Sequence, residues 1–392
     1  MQFPALPSLV LLMLCAPALS KPQNLKDDNL IYAGMLMSAD MPESSGNGPI
    51  LTGEPEPVPA IIEKPKARSP PKPQPPPAMP DGTCPFACQC TLRVVQCSDL
   101  GLETIPQDIP TDTRLFDLQN NKITEIKQND FKGLVVMHTL VLLNNQISKV
   151  HPKAFKSLVF LHKLYLSKNM LEEVPSNMPD SLIELRIHEN HIKKVPKSIF
   201  KAMKNLHVME MSANPLQSTG IEPGAFDGLD GLTYIRISNA HLTQIPKDLP
   251  PSIRELHLDQ NNISAIEDED LIHYSNLARL GLDHNHIKVI QNGTLTQCPN
   301  LRELHLQENQ LERVPPNLPE LKHLNRVYLN SNHITEIHAD DFCPKAFHQS
   351  KRALYVAITM YDNPVKYWDA PRSAFRCVTS HSAVHFGNNY RK

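Results

Sequence analysis

The chain has almost no net charge, no apolar run of bilayer length and no glycine-rich phosphate loop, and each absence removes a class of function. A formal charge of −2 offers no basic surface to a nucleic acid. The N-terminal apolar run, Leu9-Val-Leu-Leu-Met-Leu14, falls well short of the ~20 residues of a membrane span. With Ala18 and Ser20 behind it, the run reads as a secretory signal peptide over residues 1–20, removed before Lys21. No later stretch approaches a span and no lipid-anchor pattern closes the chain, so no membrane insertion is expected. No nucleophile–base spacing or paired-carboxylate motif appears either, and the chain reads as a non-enzyme without a cofactor or metal.

What is present is repetition. From Thr113 onward the phrase L-x-x-L-x-L-x-x-N-x-L returns in eleven copies, cleanest over Leu301 to Leu311. Aligned on their ninth position, the copies centre on Asn121, Asn145, Asn169, Asn190, Asn214, Asn261, Asn285, Asn309, Asn332 and Asn363. A degenerate copy puts Ala240 in the Asn slot. Successive centres lie 21 to 31 residues apart, the period and wording of a leucine-rich repeat. In L-x-L the apolar residues face inward from a short strand and their neighbours face out. The Asn side chain can bond the backbone of adjacent turns and form a ladder through the stack. The expected fold is an α/β solenoid: a horseshoe with a parallel concave sheet, a polyproline or short-helix convex side, and disulfide caps at both ends. Ile105-Pro106, Val174-Pro175, Val195-Pro196, Ile245-Pro246 and Val314-Pro315 put proline on the convex side, against helix there.

Cysteine punctuates the repeats. Cys84, Cys88, Cys90 and Cys97 precede the first copy as C-x3-C-x-C-x6-C, while Cys343 and Cys377 bracket the last. In a secreted chain without a nearby His pair, these read as disulfides rather than a zinc knot, and spacing alone leaves three pairings open for the first four. The extra length after Cys343 should protrude as a loop pinned by a Cys343–Cys377 bridge. Cys298 stands alone, as a small buried filler. The resulting domains are a Pro-rich arm over 21–83, a Cys-rich cap over 84–112, repeats over 113–342, and an ear repeat with C-terminal cap over 343–392.

Twelve prolines between Pro49 and Pro80 leave the arm unable to pack a core and favour an extended, polyproline-like stalk. Within it, Ser45 lies in Glu43-Ser-Ser-Gly-Asn-Gly48, an exposed hydroxyl followed by Gly46 with an acidic residue upstream. That is a candidate glycosaminoglycan attachment site, against the plain reading of a flexible turn. Asn262-Ile-Ser264 and Asn292-Gly-Thr294 are N-glycosylation sequons, both expected at turns.

With CPFACQC, DLQNNKITEI, alternating short and long repeats and NPVKYWDAPRSAFRCV in place, residues 84–392 resemble the small leucine-rich proteoglycans of the first class. The resemblance implies bridges Cys84–Cys90 and Cys88–Cys97. It also implies an extracellular-matrix protein that binds fibrillar collagen and growth factors of the transforming growth factor beta type, with a tendency to homodimerise through concave faces. A soluble growth-factor trap that ignores collagen is the alternative. The segment implicated in collagen binding in decorin-like members reads S-Y-I-R-I-A-D-T-N-I-T, and Thr233 to Thr243 is its match. Arg236 is kept, Asn239 stands in place of the Asp, and Glu210 lies on the adjacent strand.

Third and fifth positions of each phrase should line the concave face. The third positions Glu255, Arg279, Glu303 and Arg326, and the fifth positions Arg186, Glu210 and Arg236, alternate in sign and predict cross-strand charge ladders. Tyr165, Tyr234 and Tyr328 add aromatic anchors suited to gripping a protein. His257 and His305, with Gly281 between them and Asp259 and Asp283 flanking, stand ~9.6 Å apart, which leaves a shared zinc as the minor alternative to solvated side chains.

Overall fold

In a computed structural model the protein is described over residues 84–345, 347 and 353–387. The signal segment, the arm and Ser45 lie outside the described residues.

Each phrase folds in the same way because the same positions meet the same needs. In the cleanest copy Leu301, Leu304 and Leu306 are fully buried and Leu311 nearly so, while Glu303 and His305 between them are half-buried. Positions three to five form a three-residue strand, its middle residue facing the core. The strands are, in order, β1 (Gln89–Thr91), β2 (Val94–Gln96), β3 (Leu115–Asp117), β4 (Glu125–Ile126), β5 (Thr139–Val141), β6 (Lys149–Val150), β7 (Lys163–Tyr165), β8 (Glu184–Arg186) and β9 (Val208–Glu210). There follow β10 (Tyr234–Arg236), β11 (Glu255–His257), β12 (Ala265–Ile266), β13 (Arg279–Gly281), β14 (Val289–Ile290), β15 (Glu303–His305), β16 (Arg326–Tyr328), β17 (Ala357–Thr359) and β18 (Val384–His385).

Fourteen of these make one sheet in the order β1-β2-β3-β5-β7-β8-β9-β10-β11-β13-β15-β16-β17-β18. It is parallel except for the β1–β2 hairpin. Register is by equivalent position: Arg236 sits beside His257, His257 beside Gly281, and Gly281 beside His305. The two short parallel pairs β4–β6 and β12–β14 lie outside this sheet. Among the described residues the connections carry five 3-10 turns and no α-helix. The residues before the convex prolines, Ile105, Val174, Val195, Ile245 and Val314, are all buried, so each proline follows an inward anchor.

The eighth and ninth positions turn the chain off the sheet. Every eighth residue, from Asn120 to Asp362, is left-handed, with φ between 49° and 57°. The ninth Asn then bonds its own repeat and the one before it. Asn145 donates from Nδ2 to the carbonyl of Leu118, one repeat back, at 2.9 Å and to that of Leu142 at 3.2 Å. Its Oδ1 accepts from the Ile123 amide at 3.1 Å. At Ala240 the amide is missing, and the Leu216 N–H it would have served turns to the Asn214 carbonyl at 2.7 Å. The longer spacing of this repeat accommodates a 3-10 turn over Ser218–Gly220.

Both ends are stapled. Cys84 is bonded to Cys90 and Cys88 to Cys97, holding the hairpin whose second strand covers the edge of β3. Cys343 is bonded to Cys377 beside a chain of aromatic rings, Tyr355, Phe342, Phe375 and Phe386. Arg376 ties this cap together: its Nη2 donates to the carbonyls of Cys343 and Pro344 at 3.0 and 2.8 Å and to Asp340 Oδ1 at 3.0 Å. Cys298 is free and fully buried, and burial pushes its thiol pKa up to about 12.

Candidate binding face

The concave sheet presents third and fifth positions as the phrase requires, but the ion pairs are not a uniform ladder. Toward the C-terminal end, Glu303 on β15 is held between two guanidiniums. Arg279 lies 2.8 Å away on β13, and Arg326 Nη1 donates to its other oxygen from β16. Burial works against this carboxylate, yet Arg279 and Arg326 together keep its pKa below the usual range. Glu255 does not join the row; it faces His257 of its own strand at 3.5 Å. Arg186 likewise turns to Glu184 on its own strand, 2.6 Å away, and lies over the Tyr165 ring at 5.3 Å.

Arg236 and Glu210 are brought together. Arg236 Nη1 lies 3.8 Å from Glu210 Oε1 on the neighbouring strand, and its Nε donates to Ser238 Oγ at 3.2 Å. The Arg236 side chain is 43% exposed. Asn239 is elsewhere: it is the left-handed eighth residue, φ 49°, exposed in the turn beyond the strand. Its backbone N–H donates to the Asp259 carbonyl at 2.9 Å, and no contact joins its side chain to Arg236 or Glu210.

Two aromatic–histidine contacts, one tilted and one stacked, flank this region, neither visible from spacing alone. Tyr234 packs on His257 with ring centres 5.2 Å apart, and His305 on Tyr328 at 4.4 Å. Burial lowers the pKa of both histidines, so these rings are neutral, hydrogen-bonding surfaces at neutral pH. Among the described residues no group of three or more His, Cys, Asp or Glu has the arrangement of a metal site. Behind the fifth row, two residues past the ends of β11 and β13, the acids Asp259 and Asp283 meet; the sequence shows both beside the histidine pair, but not their contact with each other.

Both sequon asparagines are exposed. Asn292 lies in a turn, whereas Asn262 lies just past a bend, in chain without regular structure. Thr294 of the second sequon is fully buried and donates from Oγ1 to Asp268 at 3.0 Å.

The family described as Leucine rich repeat matches residues 113–171, 180–242 and 251–311, and the Leucine rich repeat N-terminal domain matches 83–110. Biglycan of Xenopus laevis is 53% identical over 92% of this chain and 92% of its own. Biglycan of Homo sapiens is 58% identical over 79% of this chain and 83% of its own. A chain in a solved octameric complex of latrophilin 3, Unc5D and FLRT2, the last contributing leucine-rich repeats, superposes with TM-score 0.59 at 26% identity. The match covers 74% of this chain and 80% of that one.

Proposed function

The chain belongs to the class I small leucine-rich proteoglycans, secreted proteins of the extracellular matrix, and on that premise we propose that it binds fibrillar collagen through the concave face around Arg236. The observation that carries this reading is the state of Arg236. It is oriented by Ser238 and by a loose 3.8 Å pair with Glu210, yet much of its side chain stays open. Such a guanidinium can exchange a weak, solvated pair for a charge-assisted bond to a partner carboxylate or carbonyl at little cost. Glu210, only 16% exposed, then serves mainly to hold Arg236 upright. Asn239, out in the turn, contributes an edge contact without charge. Tyr234 beside Arg236 supplies the apolar anchor that interface centres favour.

Co-sedimentation of the secreted protein with fibrillar collagen tests this directly. The protein should pellet with the fibrils; if it stays in the supernatant while retaining a growth factor of the transforming growth factor beta type, the trap reading replaces it. We further propose that Ser45 carries a glycosaminoglycan. The secreted protein should then run as a broad band that sharpens on chondroitinase treatment, and a sharp band unaffected by the enzyme contradicts the attachment.

A further inference from the structure

Gly281 interrupts the fifth-position row between His257 and His305, and a carboxylate occupies the space it leaves. A side-chain carbon on Gly281 would stand 2.5 Å from Oδ1 of Asp259 and 3.0 Å from Nδ1 of His257. Asp259 is only 9% exposed, and that Oδ1 has no hydrogen-bond donor. Its Oδ2 accepts one long bond, from Ser238 Oγ at 3.3 Å, with His257 Nδ1 farther off at 3.8 Å. On the next repeat, at the same seventh position, the Asp283 carboxylate comes within hydrogen-bonding reach of Asp259. Asp283 Oδ2 accepts from His284 Nδ1 at 2.8 Å. One repeat farther along the row, Gln307 has a buried Oε1, again without a donor.

Three adjacent row positions thus present acceptor oxygens at the ~4.8 Å spacing of the strands, and two of those oxygens are buried and unserved. Two carboxylates in contact, one of them almost fully buried, require a positive counter-charge or a proton. No basic side chain reaches Asp259 Oδ1: Arg236 is turned to Ser238 and Glu210, His257 Nδ1 stands 3.8 Å from the other oxygen, and His284 is shared between Asp283 and Glu308. The donor set, carboxylate and amide oxygen with no thiolate, is that of a hard divalent cation.

We propose that Asp259, Asp283 and Gln307 form a calcium site in the seventh-position row of the concave face. Water would complete the coordination, since calcium takes about six to eight oxygens in flexible geometry. Magnesium, which demands a near-ideal octahedron at about 2.0–2.1 Å and gives up water reluctantly, fits an open row of side chains less well. With so few protein ligands the affinity belongs to the range of extracellular modules, roughly 10⁻⁴ to 10⁻³ M. A cation there ties three consecutive repeats together on the face that carries Arg236.

The test is thermal unfolding of the full secreted chain near neutral pH, after chelation and then with about 5 mM calcium or magnesium, an excess over that affinity. Calcium should raise Tm by about 2–4 °C, and magnesium by less than half as much. Asp283→Asn should abolish the calcium increment, as should Asp259→Asn, while Glu269→Gln, at an exposed acid outside the row, retains it. The Asp283 side chain is 20% exposed, so its variant tests the site even if the more buried Asp259→Asn fails to fold. A calcium increment that is absent, or that survives both substitutions, overturns the site. Stabilisation of the chelated protein by mild acid with no response to calcium also overturns it, because the pair then holds a proton.

Discussion

The ninth-position row and the seventh-position row run through the same repeats two residues apart, yet they behave in opposite ways. In the ninth row each Asn is buried and spends its amide on the same backbone groups, one repeat after another. Nothing there is left to bind a partner. In the seventh row, His188 meets Ser167 Oγ at 2.8 Å, while Asp259 and Gln307 keep buried acceptors with no donor. Polar groups that are fully served make a scaffold, and those left unserved mark where a scaffold can acquire a ligand.

The largest effect should come from cutting the scaffold row. Asn285→Ala leaves the Ile263 amide without its acceptor and removes a donor from the Leu258 carbonyl. Two buried groups each worth ~1–3 kcal/mol put the loss at about 2–6 kcal/mol in urea unfolding. A loss below ~1 kcal/mol would erase the distinction between the rows. A smaller effect is expected on the face. Burial lowers the His188 pKa, against the opposing pull of Glu210 and Glu189. A histidine with a lowered folded-state pKa contributes stability above its unfolded value of about 6.5, and that stability is lost as pH falls through the folded value. Tm should therefore fall between pH 7 and pH 5, and His188→Gln should flatten part of that fall; an unchanged profile would mean that His188 is not held neutral.

The two rows also differ in how readily they can be read from sequence. The ninth row was legible because one residue type solves one problem throughout, and even its failure at Ala240 was visible. The inward leucines, the end cysteines and the convex prolines were legible for the same reason. The left-handed eighth position was not: its occupants include Lys168, Glu189, Ala213 and Gln260, which carry no common turn signal. Face chemistry was legible only in part. Register aligned Arg236 with Glu210, but whether an acid pairs across strands or along its own depends on side-chain reach, so Glu255 and Arg186 left the expected ladders. Asp259, Asp283 and Gly281 were all visible beside the histidine pair, but the contact of the two acids is a matter of side-chain packing that register does not give.

A side chain sealed inside the scaffold should be chemically silent. Cys298, fully buried with its thiol pushed up to about 12, should resist alkylation in the native protein near pH 8 and react on unfolding, since the thiolate is the nucleophile. Rapid native labelling, or an intermolecular bridge through Cys298, would place it on the surface instead. At the edge of the binding face, Asn239→Asp should strengthen collagen binding only modestly, a few-fold at most, because a charge there strengthens a hydrogen bond but stands apart from Arg236. An unchanged or weaker interaction in the co-sedimentation assay would remove Asn239 from the surface.

The most direct measurement is collagen co-sedimentation of Arg236→Ala beside the parent protein, with the fold of both verified by circular dichroism. A lost charged hydrogen bond is worth ~1.5–3 kcal/mol, so the variant should bind at least about tenfold more weakly. Equal binding by a correctly folded Arg236→Ala protein would contradict the assignment of the concave face around Arg236 as the collagen surface.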